Sequence, residues 1–219
     1  MEIKVVKQIM EWNEDVSNEV KQELGDKKVF MVNIMGSPGA GKTSVIIEII
    51  KSLSKDYKIA VIEGDITGQI DAEKISELGI PVVQLNTDGA CHIEAMSIKN
   101  ILNYFNLNDI DVLLIENIGN LVCPAEFNLG EDLKVAILSV PEGDDKVQKY
   151  PLMFSVANAL IINKYDMKDY FEFDYDKVVE YSKGLNPEIN VFQFSSRKPF
   201  DNAKFYEFLR SNIQEKFRG

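Results

Sequence analysis

Histidine, tryptophan and cysteine are scarce in this 219-residue chain, which has one, one and two of them respectively. Two cysteines cannot build the disulfide framework of a small secreted fold, and an intracellular chain would keep them reduced. Basic residues are outnumbered, 24 against 35 acidic, for a net charge of −11. That deficit argues against a general nucleic-acid binder or a membrane-surface binder, because both recruit basic patches. Long apolar runs are missing too: VLLI at 112–115 and ALII at 159–162 are far too short to span a bilayer. The opening MEIKVVKQIMEWNEDVSNEV is charged throughout and lacks the apolar stretch of a secretory signal. There is no repeat, low-complexity tract or linker-like segment. The expectation is a cytoplasmic protein with neither nucleic acid nor membrane as partner.

What the chain does have is 45% hydrophobic residues, enough for one sizeable core. Short apolar runs at 29–35, 57–64, 81–86, 112–117, 134–140, 159–163 and 190–195 alternate with helix-like stretches at 42–54, 69–78, 91–105, 145–157, 174–184 and 200–216. Continuous apolar strands each followed by a helix predict an α/β fold. Its doubly wound, mostly parallel sheet has about seven strands and helices on both faces. Residues 1–28 precede it as a helix whose Ile9, Trp12, Val16 and Val20 form an apolar stripe. The stripe predicts packing on a single domain spanning 29–219; a docking face for a partner is the sharper alternative.

The strongest motif is GSPGAGKTS, comprising Gly36, Ser37, Pro38, Gly39, Ala40, Gly41, Lys42, Thr43 and Ser44, between a strand and a helix. It satisfies G-x-x-x-x-G-K-[ST] in the required strand–loop–helix context. Its glycines let successive N–H groups face phosphate oxygens at the positive end of the following helix. Lys42 would neutralise the β- and γ-phosphates, and the Thr43 hydroxyl would bind Mg²⁺. Asp65 and Glu116 close strands on the sheet's carboxyl edge, where ligands collect. Either could hold Mg²⁺ or its water, and Asp71 is a further possibility.

Asn163-Lys164-Tyr165-Asp166 follows ALII as N-K-x-D at a strand end. Guanine presents N1–H and N2–H₂ side by side, and the Asp166 carboxylate can accept both. Asn163 could reach the base edge, and the Lys164 stem could stack on the ring. Adenine would leave that buried carboxylate poorly paired, so GTP is preferred over ATP. Ser195-Ser196-Arg197 resembles the serine–alanine–lysine segment that supports guanine in GTPases, with two of three residues replaced.

Both cysteines and the one histidine fall in two short segments, Cys91-His92 at a helix start and Cys123-Pro124 in the loop after Glu116. Thiolate and imidazole suit Zn²⁺ or Ni²⁺, whereas Mg²⁺ wants oxygen. Three such ligands leave a tetrahedral site incomplete, and a symmetric dimer could bring two sets together. The alternatives are a small buried hydrophobe for each cysteine and a surface or capping histidine. Cys123 follows Glu116 closely enough for nucleotide state to reach the metal.

GSPGAGKT, EGD, CHIEA, ENIGNLVCPAEFNLGE, SVPEGDDKVQKYP and INKYD, in this order, resemble the HypB family of hydrogenase nickel-incorporation GTPases over about residues 29–195. The resemblance implies a SIMIBI-class P-loop fold, slow GTP hydrolysis, a GTP-dependent homodimer and nickel delivery to [NiFe]-hydrogenase precursors. Another maturation protein and a hydrogenase large-subunit precursor would be its partners. It maps a Zn²⁺ or Ni²⁺ site at the dimer interface onto Cys91, His92 and Cys123. Phosphate and guanine roles map onto Gly36–Thr43 and Asn163–Asp166. The N-terminal cysteine motif and histidine-rich tract of some members do not occur in this sequence, so metal handling would rest on those three residues. Ile93-Glu94 stands where the family usually has leucine–aspartate. Urease accessory GTPases carry cysteine–proline–histidine, but position 125 is Ala. Lys149 could reach a partner subunit's nucleotide, or be merely solvated.

Two rival classes remain. A P-loop kinase of a small acceptor would prefer ATP, against N-K-x-D. A non-enzymatic metal or redox sensor would leave Lys42 and Thr43 unexplained.

Overall fold

The computed structural model describes residues 2–65, 70–87, 89–197 and 200–218, with side chains from 10–64, 71–87, 89–197 and 200–218. The strands are β1 Phe30–Gly36, β2 Ile59–Asp65, β3 Val82–Asn86, β4 Val112–Glu116, β5 Leu133–Ser139, β6 Ala159–Asn163 and β7 Asn190–Gln193. They form one sheet in the order β3-β2-β4-β1-β5-β6-β7, and every strand pair is parallel. Parallel pairing requires crossovers, and these carry α2 Lys42–Leu53, α3 Ile70–Ser76, α4 Ala95–Leu102, α5 Cys123–Glu126, α6 Lys146–Lys149, α7 Pro151–Val156 and α8 Tyr175–Leu185. The helix α1 Glu2–Asp26 precedes the sheet and α9 Ala203–Arg218 follows it.

Strand periodicity sorts the core into two faces. Phe30, Val32 and Ile34 of β1 join Val45, Ile46 and Ile49 of α2 and Phe205, Leu209 and Ile213 of α9 on one side. On the other, Met31 meets Val20 and Leu24 of α1 and Ile98 and Ile101 of α4, while Met35 lies in the cluster with Phe154 of α7 and Val178 of α8. Both faces are covered, as the continuous apolar strands require.

Three local expectations change. The stretch 145–157 is two short helices: Pro151 has no N–H to donate, and Tyr150 before it leaves the helical region at φ −129°, ψ 56°. Cys91-His92 does not open a helix, because α4 begins only at Ala95. Ile93 must first enter the core, where it is 1% exposed, beneath Gly64. Along α1, Val16, Val20 and Leu24 are buried but Trp12 is 51% exposed, so the packed stripe excludes it. The side chain of Ile9 lies outside the described residues. No described helix is long and apolar enough to cross a membrane.

Candidate nucleotide and metal site

The register aligns the carboxyl ends of the central strands. Ile34 of β1 lies beside Glu116 of β4, Glu116 beside Glu63 of β2, and Ser139 of β5 beside Asn163 of β6. The phosphate loop leaves β1 at Gly36, whose missing Cβ would sit 2.7 Å from the Ile137 carbonyl. It turns through left-handed Gly39 and Gly41, φ 77° and 95°, into α2. Ser37 donates to the Glu142 carboxylate, while Pro38 and Gly39 are exposed and Ala40 is buried. Ser44 is exposed on the first turn of α2.

A cleft of about 310 Å³ opens here, lined by loop residues together with Lys42, Thr43, Glu63, Asp71 and Glu116. Lys42 is 8% exposed, and its Nζ donates to the carbonyls of Gly36 (3.3 Å) and Ser37 (3.4 Å). Burial lowers its pKa, against the pull of Glu116, Glu142, Glu63 and Asp71. Thr43 Oγ1 donates to Glu116 Oε1 at 3.0 Å. That matches the roughly 2.9 Å between neighbouring ligands of an octahedral Mg²⁺ at 2.0–2.1 Å. Carboxylate oxygens of Glu63, Asp71 and Glu116 lie within 4.8 Å of one another. Glu63 was missed by the sequence reading, although two-residue strand spacing puts it on the same face as Asp65. The side chain of Asp65, the acid favoured there, lies outside the described residues.

The N-K-x-D segment is laced to the phosphate loop. Asn163 Nδ2 donates to the Ala40 carbonyl at 2.8 Å, and Lys164 Nζ to that of Gly39 at 2.7 Å. Lys164 adopts a left-handed φ of 56°, which turns the chain sharply at the end of β6. Ser195 Oγ donates to Asp166 Oδ1 at 2.5 Å and accepts from the Arg197 amide at 3.1 Å. The weakly matching Ser195-Ser196-Arg197 segment thus stands beside Asp166. Its serine is buried, Ser196 is half-buried and Arg197 is exposed. Asp166 itself is exposed rather than enclosed.

Cys91, His92 and Cys123 converge with ligand atoms within 4.8 Å of one another. The thiols are 2.9 Å apart, Cys91 Sγ is 3.7 Å from His92 Nδ1, and the imidazole stacks on Phe127 at 3.9 Å. A tetrahedral ion with Zn²⁺-like bonds sets neighbouring sulfurs about 3.8 Å apart and sulfur and nitrogen about 3.6 Å apart. The imidazole already meets that spacing, and the thiols need to part by less than an ångström. The hydrogen bond between the thiols raises the Cys123 pKa. His92 Nε2 is buried without a hydrogen bond, with Glu94 Oε1 3.7 Å away. Lys149 pairs with Asp145 at 2.5 Å on the surface of α6.

Comparison with known proteins identifies the family. The model of the family "CobW/HypB/UreG, nucleotide-binding domain" matches residues 30–193. The hydrogenase/urease maturation factor HypB of Helicobacter pylori is 38% identical over 221 residues, 99% of this chain and 90% of that protein. The probable hydrogenase maturation factor HypB of Methanocaldococcus jannaschii is 36% identical, covering 96% of each chain. The crystal structure of Helicobacter pylori HypB in complex with nickel superposes with a TM-score of 0.85 at 39% identity, over 93% of this chain and 95% of that one. The signal recognition particle receptor FtsY, 15% identical at a TM-score of 0.55, shares the fold alone. The chain belongs to the CobW/HypB/UreG family of nucleotide-binding proteins, in its HypB branch of hydrogenase maturation factors.

Proposed function

We propose that the chain is a GTP-hydrolysing nickel metallochaperone of [NiFe]-hydrogenase maturation. The observation that carries this reading is the convergence of Cys91, His92 and Cys123 on a loop that begins at Glu116, the carboxylate in contact with Thr43. Phosphates and soft metal would then share one mobile wall. Residues 29–219 form the working P-loop domain, with the helix of 1–28 packed on it. The expected setting is the cytoplasm.

Lys42 Nζ leaves the Gly36 and Ser37 carbonyls and donates instead to the β- and γ-phosphates, and the loop amides supply the remaining donors. Thr43 and Glu116, with the Glu63 and Asp71 carboxylates beside them, would hold Mg²⁺, which would offset charge on the transferring phosphoryl group; Asp65, expected there from the sequence, has its side chain outside the described residues. Water displaces GDP from the γ-phosphorus, at a slow rate. Asp166 accepts guanine N1–H and N2–H₂ once Ser195 releases one carboxylate oxygen, and Asn163 and Lys164 flank the base. This favours a GTPase over an ATP-dependent kinase.

Nickel, or zinc in its place, is the cargo. Cys91, His92 and Cys123 provide three ligands, and a GTP-dependent homodimer supplies the rest. Hydrolysis loosens the 116–130 loop and releases the ion toward a second maturation protein and a hydrogenase large-subunit precursor; the 65–71 loop, expected to move with it, lies largely outside the described residues. The Helicobacter pylori relative, called a hydrogenase/urease factor, makes urease a second acceptor to test.

Metal per chain and molecular mass, measured with GDP and with a non-hydrolysable GTP analogue, test the proposal. The expected result is a metal-bearing dimer with the analogue and lower metal content with GDP. Equal metal content in both, or content unchanged by Cys91→Ala, overturns it.

A further inference from the structure

The two loops bearing the soft ligands come from distant parts of the chain, yet one side chain outside both is bonded to each of them. Asn13 of α1, 6% exposed, accepts from the Ala95 amide through Oδ1 at 2.9 Å and donates from Nδ2 to the Asn128 carbonyl at 2.8 Å. Ala95 is the first residue of α4, and its N-cap residue Glu94 provides no side-chain cap. An orphan N–H of the first turn is therefore satisfied from another helix. Ala95 lies three residues beyond His92, and Asn128 follows Phe127, the ring on which His92 stacks. The carboxamide thus spans the gap between the two loops on the core side of the ligand cluster.

Its position is fixed in turn. Gly130 approaches α1 so closely that a Cβ would sit 2.5 Å from the Ser17 carbonyl. On the loop side, Leu129 N donates to Glu131 Oε2 at 2.7 Å, and Glu131 Oε1 accepts from Asn33 of β1 at 3.0 Å. Asn33 Oδ1 accepts from Asn117, the residue after Glu116, at 3.0 Å. The segment held by Asn13 is therefore continuous, through buried amide and carboxylate groups, with the end of β4 in the nucleotide cleft.

We propose that Asn13 is a positioning residue for the Cys91–His92–Cys123 set, setting the separation of the Cys91-His92 loop from the Cys123–Phe127 segment. The inference rests on the reading of those three residues as metal ligands. Partners that orient metal ligands from outside typically alter metal affinity by about 10–100-fold when removed.

The test uses the full chain loaded with Ni²⁺ in competition with a chelator, and with Co²⁺ read by its thiolate charge-transfer and ligand-field bands. Asn13→Ala is expected to weaken Ni²⁺ binding about tenfold and to change the ligand-field bands, with affinity for the GTP analogue held within about twofold. Asn13→Asp keeps an acceptor for Ala95 but loses the donor to Asn128, so its affinity falls between the two; it also decides the question should Asn13→Ala not fold. Val16→Ala removes buried α1 packing while leaving both Asn13 hydrogen-bond partners in place, and is expected to leave Ni²⁺ affinity unchanged. Unchanged affinity and Co²⁺ bands in both Asn13 variants overturn the proposal, as does an equal loss in Val16→Ala. Cys91→Ser and Cys123→Ser separate the two readings. If they bind Ni²⁺ as the parent does, the ligand assignment itself fails; if they lose binding while the Asn13 variants keep it, only the positioning role fails.

Discussion

Gly41 and Asn163 are packed so closely that a Cβ on the glycine would lie 2.5 Å from Asn163 Nδ2. The contact joins the phosphate loop to the N-K-x-D segment, because the same Nδ2 donates to the Ala40 carbonyl. Gly41 also has φ 95°, where a side chain is strained whatever the space around it. Gly41→Ala should cost about 1–3 kcal/mol of stability and lower GTP affinity at least tenfold by expelling Asn163. Part of that cost depends on Asn163 being present. A double-mutant cycle with Asn163→Ala should give a coupling of roughly 1 kcal/mol; a coupling of zero would mean that the close approach relaxes freely.

Asp166 is the proposed reader of guanine, through two acceptors facing two donors. Asp166→Asn replaces one acceptor by an N–H donor, which opposes guanine N2–H₂ but suits the O2 of xanthine. GTP affinity should fall at least about a hundredfold, and XTP should bind more tightly than GTP. Competition between labelled nucleotides measures both. Parallel losses for GTP and XTP would place Asp166 outside base recognition.

The pH dependence of phosphate binding follows from Lys42. Burial holds its ammonium below the ordinary 10.5. Bound phosphates add negative charge beside Nζ and raise that pKa, so above the lowered value binding takes up a proton. Affinity for GDP is therefore greatest below the ligand-free pKa and falls as pH rises through it, by at most about tenfold per pH unit. Ligand-free stability moves oppositely: the folded chain holds fewer protons than the unfolded one between the lowered value and 10.5, so stability rises with pH there. Calorimetry in buffers of different ionisation enthalpy, at pH 7 and at intervals above it, should show proton uptake growing with pH. Uptake of zero throughout would mean that Lys42 stays fully charged when the site is empty.

The fold was legible because burial on both faces leaves runs such as VLLI and ALII apolar without interruption, and because the phosphate loop announces where β1 ends. The grouping of Cys91, His92 and Cys123 was legible for a different reason. So few cysteines and histidines occur that their clustering stands out. Glu63 was not, since one acid inside an apolar strand looks like an interruption until its neighbour Glu116 is known from strand pairing. The start of α4 was missed because Ile93 is drawn into the core beneath Gly64, a constraint set by tertiary packing. Asn13 could not be singled out either: its partners at 95 and 128 are defined by the way α1 lies across the sheet.

That placement of α1 depends on Gly130. It has φ 88°, and a Cβ there would lie 2.5 Å from the Ser17 carbonyl and 3.0 Å from the Lys21 amide. Both are backbone atoms of a helix and cannot swing aside as a side-chain end can. Gly79 is a useful control, with φ 74° and nothing within 4 Å of the added Cβ. Gly79→Ala should cost about 1–2 kcal/mol, the strain of the left-handed conformation. Gly130→Ala adds displacement of α1 and should cost about 2–4 kcal/mol, lowering the melting temperature by roughly 5–15 °C for a chain of this size. It should also weaken Ni²⁺ binding, since moving α1 moves Asn13. Equal costs at the two glycines would show that α1 yields easily, and a tie through Asn13 could not then hold the ligand loops in register.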